Sequence, residues 1–514
     1  MTPSEDLFLL IKSLTKSEKG HFKKYASKHV IAGENKYIKI FNAIERQKAY
    51  NEAELKEKFR DESLLKSFAP FKVYLFDLIL KSLTVFHANR SVNAYLQRVL
   101  LNTELLFNIG LYKHAFKQLL KAKEKAYQHE KFETLLLLID CQKSLFFAGT
   151  LGKKRQAEAA EVMKEREDLL VILQNVYAYE RLAFESNKFG TSGTEVRSRR
   201  EMDSVISFLE QPALKDEELT LSDSARFYFY NISSFLHFTV GNLEKSYRYC
   251  WKNVAMMERH PQRIADNPIR YLASLQNLLT FEARRKNFKE AQIVIQKARK
   301  IAAGTSSRIK NIDVRTFEWT YSTEIMLLIG MGEFEKGLKL VPLIETQLKD
   351  YGDKIDKVYA YALSYSVGYL FFIMKKYDKA KAWLSVILNA GKGEIRQDLV
   401  SFSMILNLLI HYEKGNSLVL EHFGKSANRY LIQKNRLYKL ESVLIHFVVK
   451  KLAVLERGTQ EYKKAYQVLD EEIQLVLKDP YERKALEYFD VPAWIESRIK
   501  GKDFADYLGS VFSS

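Results

Sequence analysis

Apolar residues return every three or four positions along most of the chain, the spacing of an amphipathic helix with one buried face. After Ala115 come Leu119 and Ala122, and after Ala291 come Ile295 and Ala298, so each helix keeps one residue per turn on one side. Short polar turns of a common form separate these segments: a small or polar residue, any residue, an aromatic or Leu, two more, then a small residue. They read Gly110-Leu-Tyr112-Lys-His-Ala115, Gly241-Asn-Leu243-Glu-Lys-Ser246 and Lys286-Asn-Phe288-Lys-Glu-Ala291. Further copies are Gly332-Glu-Phe334-Glu-Lys-Gly337, Lys375-Lys-Tyr377-Asp-Lys-Ala380 and Gln460-Glu-Tyr462-Lys-Lys-Ala465, with a looser one at Lys153-Lys-Arg-Gln-Ala157.

The intervals between the small residues are 45 from Ser246 to Ala291, 46 to Gly337 and 43 to Ala380, with 42 from Ala115 to Ala157. The longer gaps, 157 to 246 and 380 to 465, each fit two further units with degraded anchors near Glu201 and His422. The span from 115 to 465 divides into eight intervals of about 44 residues, the length of a helix-pair repeat. A steric rule accounts for the form. The turn residue reverses the chain, the aromatic or Leu fills the corner, and the small residue lets the second helix approach the first.

These segments resemble the tetratricopeptide repeat, whose second half reads Gly-x-Tyr-x-x-Ala-x-x-x-Phe-x-x-Ala. The unit ending at Ala380 also carries Gly368 and Phe371 where that family has Gly and Tyr. The resemblance covers roughly residues 95–478 and departs in period, about 44 against 34. Each helix is then longer than the family norm, as in the Rap-type peptide-sensing regulators of Gram-positive bacteria. A HEAT or armadillo array has the closer period but lacks this corner chemistry. The resemblance implies an all-α, right-handed α-α superhelix of about nine helix pairs, a solenoid over residues 91–478.

Residues 1–90 are expected to form a separate helical domain. Thr15-Lys-Ser-Glu18 is a capping box opening a helix towards Lys28, and a turn at Gly33 follows. Helices are expected over 35–48, from Asn51 as cap over 52–59, and through Phe71, Leu75, Leu78, Ile79 and Leu83 to about Ala88. This stretch resembles uncharacterised proteins from Bacteroidetes bacteria, a likeness that implies no activity. Asp479-Pro480 and Asp490-Val-Pro492 are helix starts, so residues 479–514 are expected to be short helices capping the array.

Composition narrows the class. With 47% hydrophobic residues the chain is not a disordered one, and 8 Pro and 21 Gly in 514 residues are too few for a turn-rich β fold. Cys141 and Cys250 are far apart in sequence, with no CxxC pair, and fit a reducing compartment. Met1 to Leu14 lacks the basic start and long apolar core of a secretory signal. The longest uncharged stretch, Val358 to Met374, is interrupted by Tyr359, Tyr361, Ser364, Tyr365 and Ser366, so no membrane insertion and a cytoplasmic location are expected.

No motif specifies a reaction. Gly424-Lys425-Ser426 has Val419 where a phosphate loop needs its first Gly. Gly190-Thr-Ser192-Gly193 follows no strand, and Gly391-Lys-Gly393 ends a helix. His411 and His422 have no acidic or Cys partner at ligand spacing. No enzyme activity, metal or cofactor is therefore expected.

Two functional classes stand against each other. In the first, the chain is a scaffold or adaptor that holds a protein or peptide along the first helix of each pair. Asn231 lies 15 residues before Ser246, and Asn277, Thr323 and Ser366 each lie 14 before their small residue, with Tyr365 adjacent. Asn suits such a ladder because its amide both donates and accepts, matching an extended backbone. In the second, the net charge of +18 serves a nucleic-acid-associated regulator. Its helix-turn-helix would span 52–88, with Lys56, Lys58, Lys66 and Lys72 on phosphates. Against it, the excess is dilute: +6 over residues 1–90, +2 over 91–212, +5 over 213–350 and +5 over 351–514.

Overall fold

The computed structural model describes residues 5–28, 35–59, 68–88, 91–147, 153–189, 199–305, 309, 311–389, 396–434, 436–456 and 458–512. Among these residues every regular element is a helix, and there is no strand. The chain divides into two compact units, Met1–Gln174 and Asn175–Ser514. The expected boundaries at 90/91 and 478/479 fall inside them.

The N-terminal unit begins with α1 (Asp6–Ser13), α2 (Lys16–Ser27), α3 (Lys36–Arg46), α4 (Glu52–Lys58) and α5 (Phe68–His87) around Ile11, Phe22, Phe41, Ile44, Leu55, Leu75 and Ile79. The helix starts lie where the caps put them. Thr15 Oγ1 accepts the Glu18 amide and Glu18 Oε2 accepts the Thr15 amide, while Asn35 and Asn51 cap α3 and α4. Lys56 and Lys72 both turn to Glu52, at 2.8 and 2.6 Å. Lys66 and the segment joining α4 to α5 lie outside the described residues, as do Gly33 and the two glycine turns at 190–193 and 391–393. After α5 come α6 (Val92–Asn108), α7 (Tyr112–Gln128), α8 (Phe132–Phe147) and α9 (Lys153–Ser186). The unit boundary falls within α9.

In the C-terminal unit α10 (Arg199–Leu209) precedes the helix pairs α11 (Asp223–Thr239) with α12 (Leu243–Glu258), and α14 (Pro268–Arg284) with α15 (Phe288–Thr305). The short α13 (Pro261–Asp266) links them. Next are α16 (Ile312–Gly330) with α17 (Phe334–Tyr351), α18 (Lys357–Ile373) with α19 (Tyr377–Leu388), and α20 (Gln397–Glu413) with α21 (Ser417–Gln433). Then follow α22 (Lys439–His446), which runs into a π-turn at Phe447–Lys451, α23 (Gln460–Val476), α24 (Pro480–Arg483), α25 (Val491–Ile499) and α26 (Phe504–Phe512). The second helices α12, α15, α17 and α19 also pack on the first helix of the next pair, and α14, α16, α18 and α20 pack on one another in order. Neighbour-on-neighbour packing of this kind is that of a helical repeat.

The turns share one backbone geometry. Five residues before each small residue stands a residue of positive φ: Gly110 (78°), Gly241 (80°), Lys286 (56°), Gly332 (71°) and Lys375 (56°). The next amide reaches back five residues in each case: Leu111 to Leu106 O, Asn242 to His237 O, Asn287 to Glu282 O, Glu333 to Leu328 O and Lys376 to Phe371 O. This is a Schellman closure, which satisfies the carbonyls a helix end leaves open. Ala115, Ser246, Ala291 and Ala380 are then fully enclosed, and a Cβ on Gly337 would come within 3.0 Å of Leu370.

Three sequence anchors behave differently. The unit after Ala380 is set by Gly415 (φ 73°) and Leu420, with Asn416 bonded to His411 O, so its anchor lies at 420, two residues before the expected His422, and is a Leu and not a small residue. At Gln460–Ala465 the letters match but the geometry does not. Thr459 caps α23, Ala465 is only partly buried, and Tyr462 and Tyr466 point inward. The copy at Lys153–Ala157 opens one uninterrupted helix of 34 residues, which contains neither Gly nor Pro.

Candidate functional site

The first helices α11, α14, α16 and α18 carry the polar positions singled out above. Asn231 (α11) donates through Nδ2 to Phe227 O at 2.8 Å, which leaves its Oδ1 facing the next pair. Asn277 (α14) donates to that Oδ1 at 3.2 Å and is itself exposed. The two side chains are thus side by side. Beside them Arg270 lies over Phe227 and Tyr228, 4.5 and 5.6 Å from the ring centres, a partly exposed cation–π contact from α14 to α11. Thr323 (α16) is half-buried and bonds Trp319 O in its own helix at 2.8 Å.

Tyr365 and Ser366 (α18) differ from the other three. They are 2% and 4% exposed, their hydroxyls bonded to Tyr488 O (3.0 Å) and Ala362 O (2.9 Å). The cover is the chain's own C-terminal segment. Tyr488 stacks on Phe402 at 4.6 Å and 6°, and donates to Asp398 Oδ2 at 2.8 Å. Phe489 meets Tyr369 and Phe372, and the Asp490 amide points to the Tyr369 hydroxyl. Trp494 donates to Glu413 Oε1 at 3.1 Å, where Arg498 also binds at 2.8 Å. Glu487 pairs with Arg284 on α14, and Asp503 with Lys375. Beneath Trp494 the hydroxyls of Tyr412, Tyr462 and Tyr466 bond to one another. The first-helix face of α18 and α20 is therefore filled by apolar and aromatic residues of the same chain.

A cavity of about 450 Å³ opens at the N-terminal ends of α14, α16 and α18. It lies about one turn below the ladder, since its lining residues Ala273 and Trp319 precede Asn277 and Thr323 by four. Gln276 Nε2 donates to Tyr359 Oη at 3.2 Å across its mouth. Glu318, 5% exposed, accepts the Asp356 amide at 2.7 Å through Oε1. Burial raises the Glu318 pKa, the Asp356 amide lowers it, the Asp356 charge raises it and Arg315 lowers it; the net direction is upward. Glu318, Gln276 and Tyr359 were not found from sequence. The available signal was one carboxylate, Glu318, between the aromatic residues Phe317 and Trp319.

In the N-terminal unit a second cavity, about 570 Å³, separates α6 from α8 and is lined by Leu101, Glu104, Phe107, Leu137 and Cys141. Burial, then Asp140 and Glu104, push the Cys141 thiol above its usual value. Cys250 is enclosed beside Ser234, 3.0 Å away, and burial pushes it up to about 12.

Gly424 lies inside α21, where a Cβ would come within 2.5 Å of Val449 in the π-turn, so Gly424-Lys425-Ser426 is helix and not a phosphate loop. His411 is buried, stacks on Phe423 at 4.3 Å and faces Asn416. Burial, with Lys381 and Lys414, lowers its pKa. Among the described residues no three His, Cys, Asp or Glu side chains converge as a metal site, and no helix is long and apolar enough to cross a membrane.

Fold and surface together define an all-helical protein of sequentially packed helix pairs, with one polar strip and one self-covered strip on its first helices. No family model matches the chain, and no curated protein or solved structure matches it either.

Proposed function

We propose that the protein is a non-enzymatic, cytoplasmic scaffold or adaptor that binds a protein or peptide. Its site is the groove along the first helices of a right-handed, tetratricopeptide-like solenoid. The observation that carries this is the Asn277–Asn231 hydrogen bond. It brings the side-chain amides of two successive first helices together and leaves the exposed Asn277 its carbonyl for an extended backbone. Asn231, Asn277 and Thr323 are the members a ligand reaches. Tyr365 and Ser366 serve the chain's own C-terminal segment and bound the groove on that side.

The test is peptide display against the whole chain and against Asn231→Ala with Asn277→Ala. Selected peptides that bind the parent and lose binding to the double variant, at unchanged circular dichroism and melting temperature, support the proposal. Equal binding to both overturns it. Binding of generic DNA or RNA that falls steeply with salt and ignores the two substitutions favours the nucleic-acid reading instead.

A further inference from the structure

The cavity at the N-terminal ends of α14, α16 and α18 is chemically asymmetric. Its one buried charge is a carboxylate. Glu318 Oε1 is satisfied by the Asp356 amide, while no ion pair reaches Glu318 among the described residues. Buried charges in proteins are normally paired, because water is no longer there to solvate them. The cations that line the cavity, Arg315 and Lys354, are exposed, as are Asp353 and Asp356. The other polar groups lining it add acceptors beside their donors. Gln276 spends an N–H on Tyr359 and keeps its carbonyl, and the Trp319 ring supplies an apolar wall. The interior thus offers acceptors and an aromatic surface to a donor-rich, positively charged group.

We infer that this cavity is a subsite for a cationic side chain, a guanidinium or alkylammonium group, on the peptide that the ladder holds; the inference rests on the peptide-binding proposal. The volume admits such a group. Entry of a cation would give Glu318 Oε2 the charged partner it lacks and let Tyr359 and Gln276 orient a planar guanidinium. The position one turn below Asn277 and Thr323 puts the subsite beside the backbone track.

Glu318 also has a plain structural use, since its Oε1 holds the loop before α18. Glu318→Gln separates the two uses, because the amide oxygen still accepts the Asp356 N–H while the charge is gone. The chain has four Trp, at 251, 319, 383 and 494, so fluorotryptophan labelling with Trp319→Phe assigns the Trp319 signal. The full-length protein is then titrated with n-butylguanidinium, n-butylammonium and butyrate. The expected result is a saturable shift of Trp319 with the two cations, none with butyrate, and about tenfold or more weaker cation binding in Glu318→Gln. Arg315→Ala, which removes a rim cation, is expected to tighten cation binding. No response to either cation, an equal response to butyrate, or unchanged binding in Glu318→Gln overturns the subsite. These probes contain no peptide backbone, so the result is independent of the Asn231 and Asn277 display experiment, and each proposal can fail without the other.

Discussion

The Tyr365 hydroxyl donates to the Tyr488 carbonyl across 3.0 Å, tying the middle of α18 to a segment 123 residues further along the chain. Burial is the first reason this phenol is held neutral far above its usual range, and the nearby Tyr369, Tyr488 and Asp398 add to it. The C-terminal segment is therefore part of the core. Phe489, Val491, Trp494 and Ile495 are all enclosed in the same cluster as the first helices.

Trp494→Ala is accordingly expected to lower the stability of the C-terminal unit by about 3–5 kcal/mol, because a large enclosed ring leaves a cavity. Denaturant unfolding followed by circular dichroism measures this. A displaceable lid would behave differently: the variant would keep its stability and gain affinity for peptides.

Glycines in turns and in helices are expected to respond in opposite directions. Gly241→Ala places a side chain at φ 80° and should cost about 1 kcal/mol. Gly20→Ala, inside α2 with open space where the Cβ would go, should add about 1 kcal/mol through helix propensity. Thermal unfolding of the two variants against the parent gives the signs directly.

Acid should weaken the N-terminal unit through Glu52. Partial burial opposes its ionisation, but hydrogen bonds from Lys56, Lys72 and Tyr50 outweigh burial and hold its pKa at about 2. With a folded value below the ordinary 4.5, its contribution is complete above about 4.5 and is lost as pH falls towards 2. Chemical unfolding at several pH values should show this slope, flattened in Glu52→Gln.

Cys250 should resist iodoacetamide at neutral pH in the native protein and react once the chain unfolds, since burial keeps its thiol protonated. Mass spectrometry with and without denaturant reads the difference. Rapid native labelling at Cys250 would contradict its enclosure beside Ser234.

Much of the repeat was legible because the turn chemistry sits in few residues. Gly110, Gly241 and Gly332 mark left-handed positions, and Ala115, Ser246, Ala291 and Ala380 mark close approaches, each visible as a letter. Letters failed where a different residue does the same job or the same letters do another. Leu420 takes the place of a small residue behind Gly415, while Tyr462 and Tyr466 turn the look-alike at 460–465 into a helix with an aromatic face. The 34-residue α9 was missed, because the basic run at its start has the letters of a turn. At the site, the polar spacing located Asn231 and Asn277 on neighbouring helices. It gave no sign that Tyr365 and Ser366 would be covered, since burial by a segment 123 residues away leaves no local pattern.

The closures at Leu111, Asn242, Asn287, Glu333, Lys376 and Asn416 are made by main-chain amides and carbonyls alone. Two of the pivots, Lys286 and Lys375, show that even glycine is dispensable there. Side chains can then differ from turn to turn around a constant hinge, because the closure is written in peptide geometry and not in the residue names.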